Sequence, residues 1–131
     1  MSQKSRGQTM AQEAFRRIQA RAKGNKKERK EYRSFAREFP TLVHQCGLAQ
    51  ATAFALAKKK EQAKFVEDVA AVLKAAGHPQ ATDENALDAA ARGASLPAYL
   101  RLSRDALLAA IWLKRYVESL FPEDGGAEDG K

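Results

Sequence analysis

Basic side chains gather along one side of a predicted helix in the segment KKERKEYRSFAREF, residues 26–39. An apolar stripe with i, i+3, i+4, i+7 spacing marks its buried face: Tyr32, Phe35, Ala36 and Phe39. At about 100° per residue, five cations fall within an arc of roughly 100° on one flank of that stripe: Lys26, Arg29, Lys30, Arg33 and Arg37. A polyanion along this flank would relieve the repulsion between like charges and release counterions. The pattern therefore predicts contact with a nucleic-acid backbone, with an ordinary solvated face as the alternative.

Arg17 and Arg21 form another pair of stacked cations, four residues apart on a predicted first helix. The turn over residues 24–27 is short, so we expect the first two helices to pack antiparallel and their arginines to merge into one surface for a nucleic-acid backbone. The sequence has no glycine-rich phosphate loop, and few exposed aromatic residues are expected near the basic run. Contacts should therefore go to phosphate and sugar rather than to bases, and binding should be salt-sensitive.

The residue types that catalysis or metal binding needs are present but are not arranged for either. His44 and His78 are 34 positions apart, and Cys46 follows His44 at a spacing that does not share a helix face. The sequence contains no GxxxxGK[ST], GxGxxG or HExxH motif and no paired-cysteine zinc spacing. Acidic residues at 83–88 are accounted for by helix capping and the helix dipole. The sequence predicts a non-enzyme with no metal and no other cofactor.

The net charge of +7 is concentrated near the N-terminus. Residues 1–40 hold 12 Lys/Arg and 4 Asp/Glu, a net charge of +8, whereas residues 41–131 hold 11 and 12, a net charge of −1. This asymmetry favours a localised surface for nucleic acid. A single cysteine, Cys46, fits a reducing compartment, and neither an apolar leader nor a bilayer-length apolar run is present. We therefore expect a soluble cytoplasmic protein.

Length and apolar periodicity fit a single helical domain. The 131 residues can bury one core, and the sequence shows no β-alternation and no internal repeat. We predict an all-α fold, a compact single-domain bundle of about six helices over residues 9–121. A polar lead at residues 1–8 and an acidic tail at residues 122–131 are expected to be disordered.

Local signals place the boundaries of the first helices. Thr9 is predicted to be the N-cap of the first helix. Pro40 is predicted to stop the second helix, because the residue before a proline disfavours helical geometry. Thr41 would then cap a third helix that carries Gly47 in its interior.

The last helix is predicted to begin at Ser103, after a connecting turn over residues 95–102, with Asp105 in its first turn. It has two apolar sectors where a surface helix needs one. The second sector lies over 100° from the first: Leu108, Trp112 and Tyr116. Either this helix is central and contacted from several sides, or the second sector contacts a partner subunit.

The order of several motifs resembles a known family. They are Tyr32-x-Ser34-x-Ala36-x-x-Phe39-Pro40-x-Leu42-Val43, then Gly47-Leu48-x-Gln50-Ala51-x-Ala53-Phe54, then Tyr99-x-x-Leu102-x-x-x-Ala106-Leu107, and finally Trp112-Leu113-Lys114-Arg115-Tyr116. Together they resemble the small all-helical subunit of the Cmr effector complex, the type III-B CRISPR–Cas RNA-targeting machine. The resemblance covers most of residues 9–121 in order.

The resemblance implies a role in antiviral defence. Copies of the family's small subunit stack into a minor filament along the groove that holds guide RNA and target RNA, while a different subunit cleaves the target. By matched position it makes Lys114 and Arg115 candidates for RNA or subunit contact, and Trp112 a candidate for core or subunit packing. The implied partners are other subunits of the complex, further copies of this chain, and the two RNAs.

Two hypotheses remain open at the level of sequence. In the first, the chain is a non-catalytic scaffold subunit that contacts the guide–target RNA backbone through the basic edge of the predicted second helix, which is formed by the cations between residues 26 and 37. In the second, it is a pure protein-interaction subunit without RNA contact, and the sector around Trp112 carries its function. A free-standing DNA-binding protein is disfavoured, because the helix after Gly47 is alanine-rich and lacks base-reading side chains.

Overall fold

The computed structural model describes residues 3–122. They form six helices: α1 (Arg6–Arg21), α2 (Lys26–Cys46), α3 (Leu48–Lys58), α4 (Glu61–Ala75), α5 (Glu84–Gly93) and α6 (Leu96–Leu120). No strand occurs within this range, so the predicted all-α bundle of about six helices is confirmed. None of the helices in residues 3–122 is both long and apolar enough to span a membrane.

The core is built around α4, which packs against each of the other five helices. Its apolar buried residues face several directions, as a central helix requires: Phe65, Val66, Val69, Ala70, Val72 and Leu73. The last helix, α6, packs mainly against α1, α2 and α4. The helix surrounded on all sides is therefore α4, and the second apolar sector of α6 is left partly exposed.

Helices α1 and α2 are not a packed pair, so the expectation that they form an antiparallel hairpin is wrong. Helix α1 lies instead against α6 and α4, and α2 lies against α3, α4 and α6. The apolar stripe of α1 is narrow, because its buried residues are Met10, Ala14 and Ile18. A short linker limits the distance between two helix ends but does not fix which faces they bury.

The first helix begins earlier than predicted. Ser5, not Thr9, is the N-cap: its side chain accepts a hydrogen bond from the Gln8 amide, and the Gln8 side chain accepts one from the Ser5 amide. This reciprocal pair satisfies two amides at the helix start. Residues 6–8 are thus helical, contrary to the expectation of a disordered lead through residue 8. Residues 1–2 of that lead lie outside the described residues.

The second helix continues through Pro40, so its predicted end at Phe39 and the Thr41 cap are both wrong. Proline removes one backbone hydrogen bond and crowds the carbonyl four residues earlier, at a cost of about 3 kcal/mol. Buried side chains on both sides of Pro40 offset that cost, since Phe35, Phe39 and Val43 all pack into the core. Tertiary burial therefore outweighs the local stop signal.

Gly47 joins α2 to α3 instead of lying inside a helix. Its φ of 87° and ψ of 161° belong to a region that only glycine adopts readily. The residue offers no side chain to cap α3, and the Tyr99 hydroxyl of α6 accepts a hydrogen bond from the Ala49 amide at 3.1 Å. A distant helix thus supplies the missing cap.

The last helix starts at Leu96 with Ser95 at the N-cap position, so the prediction of a start at Ser103 is wrong. Pro97 lies in the first turn, where a missing amide hydrogen costs nothing. Asp105 is accordingly not a first-turn residue. It lies in the middle of the helix and is fully buried.

Candidate nucleic-acid interface and subunit surface

Helices α2 and α6 run antiparallel, and polar contacts connect the middle of α2 with the C-terminal end of α6. Arg37 Nε lies 3.6 Å from Glu118 Oε2. One turn earlier on α2, Arg33 donates a hydrogen bond of 3.1 Å to the Pro122 carbonyl, and its guanidinium lies 5.7 Å from the centre of the Phe121 ring. The basic edge of α2 therefore borders the C-terminal half of α6.

This border brings cations from two helices to one side of the molecule. On α2, a shallow open depression is lined by Lys30, Arg33, Ser34, Arg37 and Glu38. A neighbouring depression between the helices is lined by Pro40, Ile111, Lys114, Arg115 and Glu118. Glu118 belongs to the second and contacts Arg37 of the first, which joins them. We call the shared surface the basic face; its cations are Lys30, Arg33, Arg37, Lys114 and Arg115.

The predicted cations Lys26 and Arg29, at the start of α2, differ in their exposure to solvent. Lys26 is exposed at the first residue of the helix. Arg29 is half-buried and donates a hydrogen bond to the Gly24 carbonyl, in the turn between α1 and α2. Arg29 therefore holds that turn, although the helical projection placed it beside Arg33.

Arg17 and Arg21 do not join the basic face, contrary to the expectation that the arginines of the first two helices would merge. Both reach across to α4, where Arg17 Nε lies 2.7 Å and Arg21 Nε 2.8 Å from the buried carboxylate of Asp68. Their outer nitrogens bind Glu67 at 3.0 and 3.2 Å. Burial acts to lower the pKa of each arginine, but pairing with Asp68 outweighs it, so both pKa values are raised.

A second buried ionic cluster ties the start of α1 to the end of α4 and the middle of α6. Asp105 accepts hydrogen bonds from Arg6 and from His78 Nε2, the latter at 2.8 Å. Arg6 also donates to the Ala76 carbonyl at 3.1 Å. Burial acts to raise the pKa of Asp105, but the hydrogen bonds from Arg6 and His78 outweigh it and hold the pKa below its usual range.

Leu108, Trp112 and Tyr116 lie along one partly exposed sector of α6, as their spacing predicted. Leu108 is 44% exposed, and the Trp112 and Tyr116 rings stack with centroids 6.0 Å apart. Phe15 of α1 joins them, since its ring meets Tyr116 edge to face at 5.4 Å. We call these four residues the aromatic patch. The sequence analysis missed Phe15, which is 39% exposed beside the buried stripe of α1.

The histidine and cysteine side chains that could take part in catalysis or metal binding lie apart from one another. His78 is buried against Asp105, and Cys46 is an exposed free thiol at the end of α2. Within residues 3–122, no three side chains of His, Cys, Asp or Glu come together as a metal site would require.

Comparison with known proteins gives consistent matches. The family model for CRISPR-associated protein (Cas_Cmr5) matches residues 6–120. The protein named CRISPR system Cmr subunit Cmr5 from Thermus thermophilus is 42% identical over 121 residues, which are 92% of this chain and 99% of that protein. An X-ray crystal structure of a CRISPR-associated Cmr5 family protein from the same organism has a TM-score of 0.80 and 40% identity, covering 91% of this chain and all of that one. This chain belongs to the Cmr5 family of CRISPR-associated proteins.

Proposed function

We propose that this chain is a non-catalytic subunit of a type III-B CRISPR effector, the Cmr complex, and that its basic face contacts the backbone of guide and target RNA. In the cytoplasm it would stack with copies of itself and with partner subunits. Family membership supports the place in the complex. The observation that carries the RNA contact is the convergence of Arg33 and Arg37 with Lys114 and Arg115 along the α2–α6 border.

The chemistry of the basic face favours phosphate over base recognition. A guanidinium presents a planar fork that matches a phosphate group, and the Arg37 side chain is 60% exposed. Its contact with Glu118 is long, and an exposed pair of this kind contributes at most about 1 kcal/mol. A phosphate can therefore displace that carboxylate. Binding should follow the charge of the RNA rather than its sequence.

The non-catalytic role is supported by where the acid–base groups lie. A general base must reach the proton that it abstracts from a substrate. The one histidine close to a carboxylate in the described part of the chain, His78, is directed at buried Asp105, which Arg6 also holds. These groups connect α1 to the end of α4 and to α6. In the proposal the chain positions RNA and neighbouring subunits and supplies positive charge, and it performs no reaction.

The experiment that tests the proposal is a charge reversal on the basic face. The triple change Lys30→Glu, Arg33→Glu and Arg37→Glu should weaken incorporation into a reconstituted complex with guide and target RNA, and should flatten its salt dependence. Each lost phosphate contact should lower the slope of log K against log salt by about 1.

A matched control changes three exposed cations that do not line the basic face: Lys4→Glu, Lys74→Glu and Arg101→Glu. It alters the net charge by the same amount. If both triple variants lose the same affinity and slope, the effect comes from net charge alone and the basic face has no special role. If neither loses any, RNA contact by this face is excluded.

The aromatic patch favours a second candidate function, a protein-interaction scaffold that does not touch RNA. Aromatic residues that are partly exposed next to one another are typical anchors of subunit interfaces. Under this alternative, changes in the aromatic patch should abolish assembly, while charge reversal of the basic face should leave assembly and RNA affinity unchanged.

A further inference from the structure

An exposed aromatic ring lies close to the turn that joins α3 to α4. Phe54 is 39% exposed, and its ring stacks on the buried ring of Phe35, with centroids 6.2 Å and planes 21° apart. The Nζ atom of Lys58, an exposed residue one turn later on α3, lies 5.2 Å from the centre of the Phe54 ring. The core therefore fixes the orientation of Phe54, while a flexible lysine side chain lies over its ring.

A further open depression on α2 connects this ring to the basic face. It shares Lys30, Ser34 and Glu38 with the first depression of that face. Its other lining residues are Lys27, Glu31, Phe35 and Gln62. Two lysines and two glutamates balance in charge, so the depression does not favour a phosphate. The buried side-chain oxygen of Gln62 has no hydrogen-bond partner among residues 3–122, and a donor on an incoming group would satisfy it. An apolar ring beside such an acceptor suits an uncharged group such as a nucleobase.

Three consecutive exposed lysines form the turn after Phe54, and we call Lys58, Lys59 and Lys60 the lysine turn. Two of them lie where local stability favours other residues. Lys59 has φ 58° and ψ 27°, a left-handed conformation that glycine adopts at less cost. Lys60 is at the N-cap position of α4 without capping it, and a cation there opposes the helix dipole. Exposed side chains that cost the fold free energy indicate a use outside the fold.

We propose that an unpaired nucleotide of RNA binds here, with its base stacked on Phe54 and its flanking phosphates on the lysine turn. The choice of RNA as the ligand rests on the proposed function, which this site extends from backbone contact to base stacking. Stacking accepts every base, so the site adds affinity without sequence specificity. An exposed cation–π contact is weaker than base stacking, so the base displaces Lys58 from the ring and leaves it to pair with a phosphate.

The test compares binding of the full-length chain to a labelled oligouridylate and to an abasic oligomer with the same number of phosphates. The parent chain should bind the oligouridylate more tightly. Phe54→Leu should weaken oligouridylate binding about 5- to 10-fold and leave abasic binding unchanged, because leucine still packs on Phe35 but offers no aromatic face. Phe54→Tyr keeps the ring and should retain the parent affinity for both oligomers.

A double variant separates the role of the lysine turn in binding from its effect on the fold. Lys59→Gly with Lys60→Ser places a locally favoured residue at each position, so its thermal midpoint should be higher than that of the parent. It should nevertheless bind the oligouridylate less tightly. The slope of log K against log salt should fall by about 1.4, which corresponds to two lost contacts with single-stranded RNA. The control, Lys4→Gln with Lys74→Gln, removes the same charge at exposed positions elsewhere.

Unchanged oligouridylate binding in Phe54→Leu would overturn the stacking site, and so would an equal loss for the abasic oligomer. Equal effects of the lysine double variant and its charge control would overturn the phosphate contacts of the lysine turn. Oligouridylate binding that Phe54→Leu weakens but the triple charge reversal of the basic face leaves unaffected would support this site and contradict the RNA contact of that face. If the free parent chain bound neither oligomer, this site alone would be overturned, because the proposed function is measured in the assembled complex.

Discussion

The Tyr32 hydroxyl donates a 2.5 Å hydrogen bond to the carboxylate of Asp68, and both residues are buried. The same carboxylate holds Arg17 and Arg21, so one acid of α4 joins α1 and α2. Burial, and then the negative charge of Asp68, raise the pKa of Tyr32 well above its usual value. The phenol therefore stays protonated and serves as a donor. These two helices, which hardly pack together, are connected through α4.

Replacing Asp68 with asparagine should destabilise the fold by roughly 3–5 kcal/mol, because it removes the charge that compensates two partly buried arginines. Asparagine nearly matches the size of aspartate, so packing is preserved and the loss reports the charge. Urea unfolding followed by circular dichroism measures the change.

Two milder variants separate the parts of that cluster. Tyr32→Phe should cost about 1–3 kcal/mol, since it deletes one hydrogen bond to a charged acceptor. Glu67→Gln should cost less than about 1 kcal/mol, because the Glu67 side chain is 42% exposed and water screens its ion pairs. Equal losses for Asp68→Asn and Glu67→Gln would contradict the assigned central role of Asp68.

Asp105 predicts a specific dependence of stability on pH. Its pKa is lower in the folded protein than in the unfolded chain, where the usual value is 3.8. The stability that it contributes is therefore fully present above that value and is lost as the pH falls through the lower pKa of the folded state. Asp105→Asn should lower stability at neutral pH by roughly 1–3 kcal/mol and flatten the loss below about pH 4.

Denaturation midpoints measured from about pH 2 to about pH 7 test this dependence. Glu13→Gln is a suitable control, because Glu13 pairs with Arg16 within one exposed turn of α1. It should leave the acid limb unchanged. The charged or titratable neighbours of Asp105 are Arg6, His78 and Arg104, and an unchanged acid limb in Asp105→Asn would show that Asp105 does not titrate as assigned.

The sequence predicted what depends on local periodicity and missed what depends on distant partners. The stripe around Tyr32 and the sector of Trp112 follow from helical spacing, and both occur where expected. The buried acids were missed, since Asp68 and Asp105 lie within apolar stretches of their helices and their cations come from α1. An acid inside an apolar stripe is the signal that would have identified them.

The wrong boundaries have the same origin. Pro40 and Ser103 carry strong local signals for a helix stop and a helix start, and propensity predicts both. Burial of Phe39 and Val43 carries α2 past the proline, and α6 begins about two turns before Ser103 with exposed Leu96 and Leu100. The buried apolar stripe of α6 begins only at Leu102, after the first turns of the helix. Apolar periodicity in the sequence therefore does not show where α6 starts.

The contact between Gly47 and Tyr99 predicts a non-additive pair of substitutions. A Cβ at residue 47 would lie 3.1 Å from the Tyr99 hydroxyl, and the backbone there disfavours any side chain. Gly47→Ala should cost about 1–3 kcal/mol. Tyr99→Phe should cost about 1 kcal/mol, because the Ala49 amide loses its acceptor.

The double variant should cost less than the sum of the single changes, since phenylalanine lacks the oxygen that the new methyl group would meet. Chemical denaturation of the four proteins completes the cycle. Strict additivity would show that backbone strain alone, and not the hydroxyl, limits residue 47.

The aromatic patch predicts an assembly defect that leaves the monomer folded. Leu108→Glu places a charge within the patch at a side chain already 44% exposed, so the fold should tolerate it. Because interface anchors dominate affinity, incorporation into the reconstituted complex should fall at least about tenfold. Leu100→Glu is the matched control, because it changes an apolar residue that is 59% exposed on the same helix but lies outside the patch.

Co-purification yield measures assembly, and the thermal midpoint of each free variant measures whether the monomer stays folded. Loss of assembly in Leu100→Glu with retention in Leu108→Glu would move the subunit surface to the start of α6.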